Sequence, residues 1–303
     1  MMLGPANSLL RRSGADALRA VLTRPTASPV RPAAILSAAR RNLHQVPDLQ
    51  HQERYKTMGI SPLYSKKGFM VAWEEYQGML VEGLNGLIAG TTLEDQTALD
   101  IAIQTSRRPE LAATFNFASQ AHNNHFFFES LVPLLTNAAP PPDSFTAALT
   151  ATFPNFGVLK MELIATALSL FGSGTVWLVL DRQRRLRILA TYNAGTPYPG
   201  AHGRRQDIDT NTLSSPSQSS SYYGAYGNDV LDATLAAAKS AGGISWPIPL
   251  LSVSVWPQVY MIDYGVSLDG KRKYLENWWD CIDWSVVMRR FHQTGAPRAM
   301  MSY

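Results

Sequence analysis

The fold of this chain is decided by residues 115–131, which read Phe-Asn-Phe-Ala-Ser-Gln-Ala-His-Asn-Asn-His-Phe-Phe-Phe-Glu-Ser-Leu. The stretch is too apolar for a solvated loop and too rich in amide and imidazole for plain core, so it predicts a buried helix that carries a polar cluster. His122 and His125 are three residues apart and share one face of such a helix. Because buried amides and imidazoles need hydrogen-bond partners, other parts of the chain must supply either metal ligands or packing partners.

Composition sets the size and class of the protein. Its 303 residues, 46% of them hydrophobic, can bury one large core or two moderate ones. Cys281 is the single cysteine, which excludes an intramolecular disulfide and any cysteine-built zinc or iron–sulfur site. A reducing compartment fits this cysteine usage.

The formal net charge of +4 is unevenly distributed along the chain. Residues 1–41 hold seven arginines and one acid, Asp16, which leaves 20 basic and 22 acidic residues, about −2, in the rest. A leader rich in Arg, Ser, Ala and Leu and nearly without acids is typical of a mitochondrial transit peptide; a disordered basic arm that binds RNA is the alternative. We predict that residues 1–43 are a transit peptide, cleaved near Arg40 to Leu43.

The uncharged stretch from Leu163 to Leu180 is 18 residues long, close to the lower limit for a membrane span. Residues 171–175, Phe-Gly-Ser-Gly-Thr, interrupt its middle. Because paired glycines break a helix, we predict a buried helix, a glycine turn and a buried strand, and no membrane span.

The first half of the chain is predicted to be helical. Residues 44–64 are polar and irregular, and apolar residues then recur every three or four positions from Lys67 to Leu87, which indicates a long amphipathic helix that stops near Gly90. Long antiparallel helices are the expected arrangement.

Two further helices are predicted in this half. Thr92 and Asp95 resemble a capping box that opens the second helix. Pro109 can occupy the first turn of the third helix, which contains the central stretch.

The second half is predicted to be α+β, because helices gather around a small antiparallel sheet. The predicted elements are helices 145–152 and 156–171, strands 176–180 and 186–192, a third strand at Trp256 and Tyr260, and closing helices 270–281 and 284–292. A polar insertion at about 195–243, with a Ser, Gln and Pro centre and a short helix at 229–240, separates the second and third strands. The predicted domains are a helical hairpin domain, 44–136, and an α+β domain, 137–303.

Several sequence blocks occur in a fixed order between residues 69 and 292. They are Tyr76 to Asn85, Asn124 to Phe128, Phe171 to Gly174 with Trp177 and Leu178, Asn193, Val255 and Trp256 with Tyr260, and Tyr274 to Trp284. Together they resemble the iron/manganese superoxide dismutases. The resemblance implies an α-helical hairpin domain followed by an α+β domain, with one metal between them held by three histidines and one aspartate.

The resemblance also implies which residues occupy the four ligand positions. His125 matches the ligand on the third helix, whereas the ligand on the first helix falls on Ala72. The strand motif, usually Asp-Val-Trp-Glu-His-Ala-Tyr, reads Ser-Val-Trp-Pro-Gln-Val-Tyr from residue 254, so Ser254 and Gln258 replace the aspartate and the last histidine. One ligand of four survives in this alignment.

The positions that surround the metal in the family's enzymes are also substituted in this chain. Ala194 follows Asn193 where the manganese enzymes have a glutamine, and Thr175 stands where tryptophan is usual. Gln120 lies near the glutamine of the iron enzymes but one residue out of register. We therefore expect no catalytic, cofactor-binding or metal-binding residues and no cofactor, with His122 to His125 a hydrogen-bonded cluster in the core. The Trp278-Trp279 and Phe126 to Phe128 clusters are expected to be core or interface aromatics.

Within the family, this chain is similar to the superoxide-dismutase-like proteins of the fungal mitochondrial ribosome small subunit. That resemblance implies a non-enzymatic structural constituent in the mitochondrial matrix, acting in mitochondrial translation and paired with a second dismutase-like subunit as a heterodimer. Pro257 and Gln258 cannot make the charged contact that joins two identical enzyme subunits.

The charge pattern predicts the remaining neighbours. Outside the leader, the basic residues form only local patches, at 182–187, 204–205 and 271–273. Because phosphate neutralisation dominates RNA affinity, we expect mainly other small-subunit proteins as partners, with marginal or no rRNA contact. The alternatives are an active mitochondrial superoxide dismutase with a rearranged metal site, or an assembly factor that meets the ribosome transiently.

Overall fold

The computed structural model describes residues 43–134, 143–198, 201 and 247–293. The predicted transit peptide, apart from residue 43, and most of the predicted insertion, with its short helix, lie outside the described residues. The boundary proposed between the two domains also falls outside them, so the division into two domains stays a prediction.

The described part of the first half is helical. Its elements are α1 (Gln52–Met58), α2 (Lys66–Phe69), a π-helical segment (Met70–Glu75), α3 (Tyr76–Ile88), α4 (Ala98–Thr105), a 3-10 turn (Pro109–Leu111) and α5 (Ala112–Glu129). Helix α5 contains the central stretch and packs against both α3 and α4. Helix α1 corrects the prediction that residues 44–64 are irregular throughout.

The long helix predicted over 67–87 is confirmed. The elements α2, π-helix and α3 follow one another from Lys66 to Ile88. The Ser65 hydroxyl caps the start by accepting from the N–H of Gly68. Gly90 has φ +78°, a left-handed conformation that glycine adopts without strain, so the predicted stop is also confirmed.

The predicted cap of the second helix is wrong. Helix α4 begins after Thr97, whose side chain accepts from the N–H of Asp100. The same Thr-x-x-Asp pattern therefore occurs twice, and the earlier copy lies in a turn. That turn forms because the Thr91 hydroxyl binds the carbonyl of Ile88 at 2.6 Å. The third helix opens at Pro109 as predicted.

The second half has the predicted α+β class. Its elements are α6 (Asp143–Thr150), α7 (Phe156–Ser169), β1 (Gly174–Leu180), β2 (Leu186–Tyr192), β3 (Ile248–Ser254), α8 (Pro257–Tyr264), α9 (Leu268–Asp280) and α10 (Trp284–Gln293). The three strands form an antiparallel sheet in the order β2-β1-β3.

The third strand lies earlier in the chain than predicted. Strand β3 ends at Ser254, and Tyr260 belongs to helix α8. Pro257 explains this difference, because a proline has no N–H for the sheet ladder and favours the first turn of a helix.

One apolar core joins the two halves of the described chain. It includes Trp73 and Phe128 from the helical half together with Leu251 and Trp278 from the other half, all essentially inaccessible to solvent. All seven positions of β1 are buried. The uncharged stretch from residue 163 thus forms α7, a turn and β1, and no helix in the described ranges is long and apolar enough to cross a membrane.

Candidate functional site

Helix α5 carries a polar cluster inside the protein, as predicted. Gln120, Asn123 and Asn124 are 3%, 2% and 1% exposed. The Nδ2 of Asn123 donates to the carbonyl of Gly195 at 3.0 Å, and the Ser119 hydroxyl donates to the carbonyl of Ala194 at 2.5 Å. These bonds tie α5 to the residues that follow β2.

The Asn124 amide faces the long helix of the first half. Its Nδ2 lies 3.0 Å from Oε1 of Gln77 and 3.4 Å from the carbonyl oxygen of Ala72. Gln77 is itself buried and donates to the carbonyl of Ala121 at 3.0 Å. Ala72, the expected first ligand position, is therefore in contact with Asn124.

This contact corrects the assignment of the third-helix ligand position to His125. One residue along an α-helix is a rotation of about 100°, so the side chains of Asn124 and His125 leave α5 in different directions. The His125 ring lies beside Trp73, with ring centroids 5.9 Å apart, and Glu129 follows one turn later on the same helix. Asn124 occupies the ligand position, and none of the four family ligands is present.

The one-residue shift also brings Gln120 into register. Gln120 lies four residues before Asn124 and shares its helix face. Its side chain interacts with the Tyr76 phenol, and so does the side chain of Gln258 in α8. Burial raises the pKa of Tyr76 to about 12 although the interactions with both glutamines oppose this rise, so the phenol stays protonated.

The remaining ligand position is Ser254, the last residue of β3. Ser254 is 3% exposed, and its carbonyl accepts a hydrogen bond from the Tyr274 hydroxyl at 2.9 Å. The four positions that the family uses for metal therefore hold a methyl group, two amides and a hydroxyl.

These residues do not fit an iron or manganese ion. A redox ion of this kind is held by imidazole and carboxylate groups, and neutral amides and hydroxyls are much weaker ligands. Within residues 43–134, 143–198, 201 and 247–293, no group of three or more His, Cys, Asp or Glu side chains could hold a metal. No redox step can be assigned to this cluster.

The expectation of a fully hydrogen-bonded cluster is only partly correct. Two of the buried amides on α5, Asn123 and Asn124, donate hydrogen bonds through Nδ2. However, Oε1 of Gln120 and Oδ1 of Asn123 and Asn124 have no hydrogen-bond partner among the described residues. Unpaired buried carbonyls lower stability, so the cluster is not optimised for stability alone.

A charged group that sequence reasoning missed lies at the end of α5. Arg290 of α10 donates to Oε2 of Glu129 at 2.7 Å and to the carbonyls of Phe126 and Leu250 at 3.2 and 3.0 Å. Its guanidinium lies 3.5 Å from the ring centre of Phe126. The pair is 161 residues apart in the chain, and no spacing signal connects such distant positions.

The two histidines of α5 lie beside this ion pair and are held neutral. Burial lowers the pKa of His122 to about 3, and His125 and Arg290 add to the effect. Burial also lowers the pKa of His125, although Glu129 opposes it. The Nε2 of His122 is 2.8 Å from the Tyr198 hydroxyl, so this imidazole has a neutral partner.

The aromatic clusters are core residues, as predicted. Trp278, Phe127 and Phe128 are at most 1% exposed. Phe128 lies against Tyr64, Phe69 and Trp73, with ring centroids between 5.2 and 5.9 Å apart. Their role is packing between the two halves.

Comparison with known proteins gives one family match and three similar proteins. The sequence profile described as iron/manganese superoxide dismutases, C-terminal domain, matches residues 141–232 and 230–290. The small ribosomal subunit protein mS43 of Schizosaccharomyces pombe is 35% identical over 255 residues, which cover 82% of this chain and 84% of that protein.

The small ribosomal subunit protein mS42 of the same organism is 30% identical over 202 residues, 64% of this chain and 74% of that protein. An iron superoxide dismutase of Escherichia coli is 28% identical over 236 residues, 78% of this chain and 93% of the enzyme.

Proposed function

Since this chain belongs to the iron/manganese superoxide dismutase family, we propose that it is a catalytically inactive member, a structural constituent of the mitochondrial ribosome small subunit that acts in mitochondrial translation. The observation that carries the proposal is the 35% identity with mS43 across 82% of the chain. The similarity to mS42, a second small ribosomal subunit protein, points the same way.

The cluster around Asn124 supports the absence of dismutase activity. Superoxide dismutation requires an ion that alternates between two oxidation states, and here the ligand positions are Ala72, Asn124, Ser254 and Gln258. The Gln258 side chain interacts with Tyr76 of its own chain. An active enzyme with a rearranged site has no three-residue ligand group among the described residues to support it.

The partner that we propose is a second dismutase-like subunit of the same particle. Two relatives in Schizosaccharomyces pombe carry small ribosomal subunit names, and this chain is similar to both. Pro257 and Gln258 replace the charged residues through which identical enzyme subunits meet, and Gln258 interacts with Tyr76 of its own chain. A heterodimer satisfies both observations.

The proposed location is the mitochondrial matrix, within the ribosome. The leader composition supports import, and the formal charge of about −2 beyond residue 41 supports neighbours that are mainly other small-subunit proteins. Contact with rRNA is then confined to small basic surfaces.

Sedimentation of mitochondrial ribosomes tests this proposal. A tagged copy of the chain is expressed in mitochondria, the ribosomes are separated into subunits at low magnesium, and the gradient fractions are analysed by mass spectrometry. We expect the chain in the small-subunit fraction, equimolar with other small-subunit proteins and with a second dismutase-like protein.

Two results would contradict the proposal. Recovery at the top of the gradient would mean that the chain is not a ribosomal constituent. Recovery only in immature particles, and not in translating ribosomes, would identify an assembly factor instead.

A further inference from the structure

The turn between β1 and β2 concentrates positive charge on the surface. Residues 181–187 contain four arginines and a single acid, Asp181. All four arginines, at positions 182, 184, 185 and 187, are exposed. This turn, the arginine hairpin, therefore carries a formal charge of +3, although the chain beyond residue 41 has a formal charge of about −2.

Asp181 fixes the shape of the arginine hairpin. Its Oδ2 accepts from Nε of Arg187 at 2.8 Å and from Nε of Arg185 at 3.1 Å, and its Oδ1 accepts from the backbone N–H of Arg185 at 2.9 Å. Burial alone would raise the pKa of Asp181, but these bonds lower it to about 2, so the carboxylate stays ionised. One carboxylate thus orients two guanidinium groups by their Nε–H bonds.

The hairpin is also anchored to the last helix. The guanidinium carbon of Arg184 lies 4.9 Å from the ring centre of Phe291 in α10. Next to it, a surface cleft of about 320 Å³ is lined by Asp181, Arg182, Gln183, Arg187 and Pro247. Arg182 and Arg187 therefore border an open cleft on the surface.

The chemistry of this surface selects a polyanion. Arginine presents a planar fork of N–H donors that matches the oxygens of a phosphate, and it stays charged at any physiological pH. The side chains of Arg185 and Arg187 are 45% and 58% exposed while they bind Asp181. Their exposed donors can reach a ligand without first breaking the bond to Asp181.

We infer that the arginine hairpin binds the phosphate backbone of RNA. RNA is favoured over an acidic protein segment because its backbone carries a negative charge at every nucleotide, which complements a hairpin of formal charge +3. The inference rests on the proposed function for the presence of RNA beside the chain. The inference assigns the expected marginal rRNA contact to the arginine hairpin. The contact is with the RNA backbone, so it positions the protein and does not depend on the base sequence.

Two matched double variants test this inference in the purified full-length chain. Arg182→Gln with Arg187→Gln removes two charges from the hairpin. Arg272→Gln with Lys273→Gln removes two exposed charges from α9 and is the control. The probe is a short synthetic RNA duplex, with binding measured across a salt titration, and the leader contributes equally in every variant.

We expect the hairpin variant to lose roughly tenfold in RNA affinity and about 1.5 in the slope of log K against log salt. The control should change affinity by less than about twofold. Thermal unfolding of each variant checks that the fold is retained.

Two outcomes would overturn the inference. Equal losses in the hairpin and control variants would show that only net charge matters. If poly-glutamate binds as tightly as RNA and with the same dependence on the hairpin, the surface serves an acidic protein segment instead. The ribosome gradient is read separately, so failure of the proposed function is distinguishable from failure of this contact.

Discussion

Helix α5 presents two contrasting polar groups to the protein interior. One face holds the neutral cluster of Gln120 and Asn124, at the position where the family binds metal. One turn further along, Glu129 forms an ion pair with Arg290 of the last helix. The residues at the family's metal site are thus uncharged, whereas Glu129, close by on the same helix, is paired with Arg290.

The contrast shows how a fold can keep its shape after its metal ligands have been lost. A neutral amide needs only hydrogen bonds when it is buried, whereas a buried charge needs a specific partner. The amides hold α5 to the first half through Gln77 and Tyr76, and Arg290 holds it to the second half. We expect the charged contact to be the more sensitive of the two to substitution.

The largest effect is expected from Arg290→Met. The substitution removes three hydrogen bonds and leaves Glu129 without its partner, so the free energy of unfolding should fall by about 3 kcal/mol. This value is at the low end for buried pairs because the Glu129 side chain is 35% exposed. Urea denaturation measures the change.

A double variant, Arg290→Met with Glu129→Leu, separates the two causes. It should regain part of the lost stability, because no unpaired carboxylate is left in the interior. If the double variant is as unstable as the single one, lost packing rather than an unpaired charge explains the effect.

The next largest effect is a loss of stability in mild acid. The pKa of His122 is about 3 in the folded chain and 6.5 when unperturbed, so between these values the unfolded chain binds a proton that the folded chain does not. Stability is therefore complete above pH 6.5 and decreases as the pH falls, by about 2 kcal/mol from this histidine between pH 7.5 and 5.

His122→Gln tests the source of this pH dependence. The variant should reduce the loss between pH 7.5 and 5 by about 2 kcal/mol, because it removes the imidazole that binds a proton only in the unfolded chain. An unaltered pH dependence in the His122 variant would mean that the imidazole is not held neutral by burial.

A smaller effect distinguishes Asn124 from His125. Asn124→Leu should cost about 1.5 kcal/mol, because Oε1 of Gln77 loses its donor in the interior. His125→Leu should cost less, because that ring is only partly buried and lies on another face of α5. A larger cost at His125 would contradict the placement of Asn124 at the ligand position.

The smallest effect is expected on the surface. Arg187→Gln removes an exposed ion pair with Asp181, which Arg185 still binds. Stability should change by less than about 0.5 kcal/mol. Chemical denaturation measures the change, and a loss comparable to that of Arg290→Met would erase the difference between interior and surface charge.

The sequence was sufficient for the fold class and for most helices and strands. Apolar residues recur every three or four positions from Lys67 to Leu87, and this spacing predicted the long helix. The continuous apolar run that ends at Leu180 predicted a strand buried on both faces. Thr92 was misleading because a capping pattern is local, and a second copy at Thr97 competes with it.

The candidate site was predictable only in part. The alignment of the family motifs predicted that metal ligands are missing at Ala72, Ser254 and Gln258. The structure does not change these three assignments. The register of α5 did not follow, because His125 matches the expected residue type and conceals a shift that only the contact between Asn124 and Ala72 reveals. The bond between Glu129 and Arg290 joins distant parts of the chain and has no local signal.

Metal analysis of the purified chain tests the central claim most directly. The protein is isolated from mitochondria without chelators, and its iron and manganese are measured per chain by mass spectrometry. The account predicts far less than one equivalent of either metal, because Ala72, Asn124, Ser254 and Gln258 supply no imidazole or carboxylate. One equivalent of iron or manganese, retained after dialysis, would contradict it.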